Sequence, residues 1–235
     1  MDFHGILVVI GGTSAAALLC FPLKTYVRSF SVIKNKFLGN YSTRYETVIN
    51  EMVDLAKGMR DNSNYAQTKI NTIKTMFLKD AVELLALGGI SDDSLDEILL
   101  KRAETYSKRY HHDATVFKTI AKFPPAFGLM GTTLGMISLL QQLGGKDAQK
   151  MLGVSMAVGL VATFYGIVLA NLVFIPIAEN LTSLNKEDET VRAIVIDGLR
   201  LIRNKEHPKI VEEYLKSYLL PHERTGLKVK AKAKA

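Results

Sequence analysis

The sequence predicts an all-α membrane protein: three transmembrane helices with a helical cytoplasmic domain. Three observations carry this. The 235-residue chain is 48% hydrophobic yet 23% charged, with a mean hydropathy of +0.11, so apolar and charged residues must be segregated along it. They are: Phe3–Leu23, Phe123–Leu143 and Met151–Ala178 contain no Asp, Glu, Lys or Arg. Each has the roughly 20 residues needed to cross a hydrocarbon core. Elsewhere apolar residues recur at helical spacing, and no run alternates as a half-buried strand would.

The expected segments are a first transmembrane helix at 1–23, a helical cytoplasmic domain at 24–119 and a second transmembrane helix at 120–143. An external turn follows at 144–150, a third transmembrane helix at 151–178, and cytoplasmic helices with a basic tail at 179–235. Lys24, Arg28, Lys118 and Lys122 flank the spans on one side and mark it as cytoplasmic. Asp2 precedes the first span and no Lys or Arg does, the reverse of a cleaved signal peptide. These flanks place the N-terminus outside.

In the cytoplasmic domain, Thr43 with Glu46 forms a capping box, followed by Tyr45, Val48, Ile49, Met52, Leu55, Ala56 and Met59. A second helix carries Ile70, Ile73, Phe77, Ala81, Leu84 and Leu85 and ends at Gly88-Gly89. Ser94 with Glu97 caps a third, whose stripe runs from Leu95 to Tyr110. After the last span, Val191, Ile194, Val195, Gly198, Leu199 and Ile202 make another amphipathic helix, and His207-Pro208 starts a short one reaching Tyr218. The charged groups Asp54, Lys57, Arg60 and Asp61, and Asp92, Asp93, Asp96 and Glu97, read as solvated faces or as a protein-docking surface.

Several chemistries find no support. Gly11-Gly12-Thr13-Ser14 lacks the Lys and outer glycine of a phosphate cradle. His111-His112 has no second pair at metal-ligand spacing, so no metal site or cofactor is expected. Cys20 is the single cysteine. No nucleophile–base or paired-carboxylate pattern suggests an enzyme. The net charge of +7 has no aromatic or glycine-rich platform for nucleic acid; the tail Lys228–Ala235 instead suits an anionic lipid surface.

The spans themselves are unusual. Gly128, Gly131 and Gly135 form a small-residue stripe on the second, with Thr132 among them. Gly159, Thr163, Gly166 and Ala170 form a similar stripe on the third. Thr133 and Ser155 suit back-bonding to their own helix, whereas Thr132 and Thr163 sit amid glycines on the close-packing faces. No acidic residue lies at depth, so the titratable group is expected from another chain lying against these faces.

Here the residues carry a likeness. Pro125-Ala-Phe-Gly-Leu-Met-Gly-Thr-Thr-Leu-Gly-Met-Ile137, the run from Ala157 to Asn171 and Pro176-Ile-Ala-Glu-Asn-Leu181 resemble the MotA/TolQ/ExbB proton-channel family. Gly11 to Pro22, Asp197 to Ile202 and His207 to Leu215 resemble its flagellar stator members, of the MotA type. The resemblance implies a ring-forming homo-oligomer, a pentamer, in the bacterial inner membrane. It surrounds a MotB-type single-span partner whose membrane Asp carries protons or sodium ions and couples their flow to torque. It implies that Thr132 and Thr163 line the ion path and that Pro125 and Pro176 couple ion passage to conformational change. Arg60, with Lys57 beside it, would meet the flagellar rotor switch protein. Two departures stand out. The stator members have four spans against three here, the count of TolQ and ExbB. Gln67, Thr68 and Lys69 stand where an acidic rotor-facing residue is expected. A TolQ/ExbB-like energiser of envelope processes and a non-conducting scaffold are the other readings.

Overall fold

The computed structural model describes residues 3–25, 44–62, 64–142 and 148–226, and among them every regular element is a helix. Thr43, the turn at 144–147, the tail beyond 226, Asp2 and Arg28 lie outside the described residues. The helices are α1 (Phe3–Cys20), α2 (Arg44–Asp61), α3 (Tyr65–Lys69) with a 3-10 turn at Ile70–Thr72, α4 (Met76–Leu87) and α5 (Asp92–Ile120). They continue with α6 (Phe123–Gln142), α7 (Ala148–Val168), a π-helical segment at Leu169–Phe174, α8 (Ile175–Arg203), α9 (Pro208–Lys216) and α10 (Pro221–Gly226). Two helical stretches, Asp92–Gln141 and Met156–Arg203, are long and apolar enough to cross a membrane. The first predicted span is shorter, an apolar stretch at Gly5–Cys20, because Pro22 follows and cannot continue the helix.

The chain divides into two compact units. One comprises Met1–Gly39 and Arg109–Ser183. In it α1, α6 and α7 pack together, and a core of Ala17, Val116, Phe117, Ile120, Phe174, Ala178 and Leu181 joins the end of α5 to the start of α8. Outward-facing residues here are large and apolar, among them Leu7, Leu134, Leu160 and Phe164.

The other unit comprises Asn40–Lys108 and Leu184–Ala235. Its core takes Val48, Ile49, Met52, Leu55 and Ala56 from α2, Leu78, Ala81 and Val82 from α4, and Leu95 and Leu99 from α5. Ile194, Val195 and Leu199 of α8 and Val211 and Leu215 of α9 complete it. A Cβ on Gly198 would lie 2.3 Å from the Met52 methyl, so the glycine admits α2 against α8.

The local expectations differ from the structure in three places. The stretch from Ile70 to Leu85 is not one helix: the chain breaks at Ile73–Thr75, where the Glu51 carboxylate accepts the backbone N–H groups of Lys74 (2.7 Å) and Thr75 (3.3 Å). A charge-assisted bond at a helix start replaces the missing turn. Helix α5 begins at Asp92, capped by Ser91, whose Oγ accepts the N–H of Ser94, three residues earlier than a cap at Ser94. The amphipathic stretch Val191–Ile202 is the far end of α8 and not a separate helix. The Gly88-Gly89 stop appears as two positive-φ residues, 66° and 73°, a conformation that suits glycine. His207 caps α9, its Nδ1 accepting the N–H of Lys209 at 3.2 Å.

Candidate functional site

The chemistry available to the apolar unit starts from how closely α6 and α7 approach. A Cβ on Gly128 would lie 2.9 Å from both the Ala162 carbonyl and the Thr163 Cα; on Gly159, 3.0 Å from the Thr132 Cα; on Gly166, 2.4 Å from the Pro124 carbonyl. Real Cβ atoms do not sit so close to backbone, so each glycine is what lets the two main chains touch. The small-residue faces that the sequence suggested for another chain's helix are therefore spent, in large part, on each other.

That contact brings Thr132 and Thr163 together. Their Oγ1 atoms are 2.5 Å apart. Thr132 also donates to the Gly159 carbonyl at 2.9 Å, with its own turn's Gly128 carbonyl at 3.3 Å. Thr163 reaches the same Gly128 carbonyl at 3.1 Å. Three acceptors, two carbonyls and a hydroxyl, thus compete for two hydroxyl protons. The protons have more than one satisfactory arrangement, and a hydrogen-bond chain of this kind changes direction by rotating hydroxyls. Both threonines are half-buried. By contrast Thr133 is exposed and donates to Met130 of its own helix at 2.8 Å. No Asp, Glu, Lys, Arg or His lies between Phe123 and Gln142 or between Met151 and Ala178, so α6 and α7 bring hydroxyls and carbonyls but no carboxylate to their contact.

The two prolines sit at helix starts. Pro125 is the third residue of α6, where its missing N–H falls among donors that have no intrahelical partner anyway. Its Cα would be 3.2 Å from a Cβ on Gly166, so α6 enters the unit directly against α7. Pro176 is the second residue of α8, immediately after the π segment.

Lys57 and Arg60 belong to the other unit, three residues apart on α2, both exposed and, among the described residues, outside any ion pair. The neighbouring Asp54 is different: it pairs with Lys69 at 3.0 Å and accepts the Tyr65 hydroxyl at 3.2 Å, and the Asp54 hydrogen bond raises the Lys69 pKa. The acidic start of α5 is also partly consumed. Asp96 receives Arg200 at 2.6 Å and Arg203 at 2.5 Å, and Asp92 receives Arg203 at 3.3 Å. Arg200 has its pKa raised, chiefly by the Asp96 bond. Asp61, Asp93 and Glu97 remain exposed. His111 and His112 are exposed too, and among the described residues no cluster of three or more His, Cys, Asp or Glu could hold a metal.

Long apolar helices in contact through glycine, with hydroxyls at the contact, are the parts of a helical membrane protein. Residues 69–194 match the MotA/TolQ/ExbB proton channel family. Chemotaxis protein PomA of Vibrio alginolyticus is 30% identical over 93% of this chain and 84% of its own length. Motility protein A of Borreliella burgdorferi is 29% identical over 96% of this chain and 85% of its own. The fold resembles that of a chain in the structure of the flagellar MotAB stator complex from Bacillus subtilis, with a TM-score of 0.84 at 23% identity, covering 96% of this chain and 87% of that one. MotAB from C. jejuni aligns with the same TM-score at 21% identity. The chain belongs to the MotA/TolQ/ExbB proton channel family.

Proposed function

We propose that this chain is an ion-conducting stator subunit of the flagellar motor, coupling inward flow of protons or sodium ions to torque on the rotor. The observation that carries the reading is the Thr132–Thr163 pair, a hydroxyl network at the contact of two apolar helices that hold no carboxylate. The relatives of about 30% identity are named Motility protein A and PomA, which favours the stator over a TolQ/ExbB-like role.

In this reading the chain sits in a bacterial inner membrane with its N-terminus outside and the segments 24–119 and 179–235 in the cytoplasm. Five copies surround a MotB-type partner whose membrane Asp supplies the carboxylate that α6 and α7 lack. Thr132 and Thr163 line the path that the Asp serves. Pro125 and Pro176, at the starts of α6 and α8, transmit the change in protonation to the cytoplasmic helices. Lys57 and Arg60 offer cations to the rotor switch protein.

The test is a deletion strain complemented with the gene. Wild type should restore swimming and co-purify with a single-span protein bearing a membrane Asp. Normal motility in the deletion strain, with a defect in energised envelope transport instead, would favour the TolQ/ExbB-like alternative.

A further inference from the structure

In the polar unit, α5 and α8 leave a groove of about 330 Å³ between them. Leu100 and Ala103 of α5 and Ala193 and Ile196 of α8 give it an apolar lining, and Leu100 is 50% exposed. Three carboxylates, Glu104, Glu189 and Asp197, line it against two guanidiniums, Arg192 and Arg200. Arg200 is already held by Asp96 and Asp197. Arg192 is buried, and its guanidinium donates to Asn185 Oδ1 at 3.3 Å. Glu104 and Glu189 are exposed, and Glu104 meets the exposed Lys101 and Lys108 of its own helix, pairs that contribute little. The groove therefore favours an apolar side chain with a cation beside it.

The same unit carries such a group. Met76, at the start of α4, is 80% exposed, more than any other large apolar side chain described in that unit. Lys79 lies three residues on, along the same face of the helix, and Lys74 is exposed just ahead of it. Among the described residues neither lysine is in an ion pair. Methionine adapts to irregular apolar surfaces and is over-used at contact surfaces.

Height and facing suit a contact between copies. Phe77, next to Met76, packs edge-on against Tyr106 of α5 with ring centroids 6.2 Å apart. Tyr106 lies within the stretch from Leu100 to Ser107 that lines the groove, so Met76 and the groove stand at one level along α5. A ring is built by rotation alone, so around an axis along α5 the two surfaces in contact must be level. At 3.6 residues per turn, Tyr106 points about a quarter-turn away from Leu100, Ala103 and Ser107. Helix α4 thus flanks α5 on a different side from the groove. Two different patches at one level are what a head-to-tail contact needs, whereas a two-fold dimer pairs one patch with itself.

We propose that the groove between α5 and α8 takes the start of α4 from a second copy of this chain, with Met76 seated against Leu100 and Ile196 and its lysines beside Glu104 and Glu189. This rests on the ring of copies proposed above and names the contact that joins its cytoplasmic parts.

The experiment uses the purified complex of this chain with its single-span partner, in a Cys20→Ser background that removes the single cysteine. With Met76→Cys and Leu100→Cys together, oxidation should give a ladder of cross-linked copies on a non-reducing gel, and either substitution alone should leave monomers. Cross-linked pairs from Met76→Cys alone, or no ladder from an intact oligomer of the double variant, would overturn the contact. Occupancy is read by thiol labelling. A maleimide should modify Leu100→Cys about tenfold faster once Met76→Asp is added, the scale of one fully buried methionine. Met76 is exposed within its own chain, so Met76→Asp should leave the fold intact. Unchanged labelling would mean that the groove is open or that another partner fills it, and the proposal fails. A chain that purifies with its partner as a single copy overturns the ring reading itself, a distinct result.

Discussion

At the scale of single residues, hydroxyls carry the argument. Thr163→Val keeps the shape of the side chain and removes its proton and acceptor. Hydrogen bonds between membrane helices contribute only about 0.6 kcal/mol each, so the helix pair should survive the change. Ion flux should not, because the network then has one hydroxyl proton and no second hydroxyl to relay it, only the Gly128 and Gly159 carbonyls. Flux in proteoliposomes, measured beside the thermal midpoint of the detergent-solubilised complex, separates the two effects. Unchanged flux and motility would leave the glycine faces as packing alone. Tyr218 offers a test in the polar unit. Its hydroxyl donates to Asp197 at 2.5 Å, and burial, then that carboxylate, pushes its pKa from 10.0 up to about 12. The neutral form is favoured by the fold, so this contribution is complete below pH 10 and is lost as pH rises through about 12. Tyr218→Phe should flatten the loss of stability between those values in a pH series of unfolding midpoints, with little pH dependence added near neutrality.

At the scale of elements, the distance between α6 and α7 is set by glycine. Gly166→Ala drives a Cβ to 2.4 Å from the Pro124 carbonyl, which is backbone and cannot rotate away. Overpacking of this kind costs about 1–3 kcal/mol, seen as a lower thermal midpoint. Gly153→Ala is the control, since a Cβ there meets nothing within 4 Å and should be neutral or slightly stabilising through helix propensity. The elements also show where local patterns stop being informative. The apolar spacing of Ile70, Ile73 and Phe77 fits a helix, but Glu51, more than twenty residues earlier, captures the N–H groups of Lys74 and Thr75 and breaks it. Pro176 sits inside a helical apolar run without ending the helix, because the π segment ahead of it has already shifted the hydrogen-bond register. Neither outcome can be read from a window of neighbouring residues.

At the scale of the whole molecule, two units with separate cores divide the work. The apolar one holds the threonine pair, and the polar one presents Lys57 and Arg60. Reversing both charges, Lys57→Glu with Arg60→Glu, should impair swimming in soft agar while leaving ion flux near the wild-type level. Both side chains are exposed, so folding should change little. Normal swimming would remove these two cations from the rotor contact.

The sequence by itself determined the all-helical character of the described residues and the charge-free runs. It also determined the small-residue spacing on α6 and α7, the stop at Gly88-Gly89 and the start at His207-Pro208. Each of these is a property of neighbours within a few turns, where periodicity and capping act. The tertiary structure alone decided that the two glycine faces meet each other and that Thr132 bonds Thr163. It decided as well that Asp54, Asp92 and Asp96 are held in internal ion pairs while, among the described residues, Lys57 and Arg60 are not. These depend on the register of one helix against another and on which backbone donors a distant residue takes. Spacing along a single chain carries no record of that register.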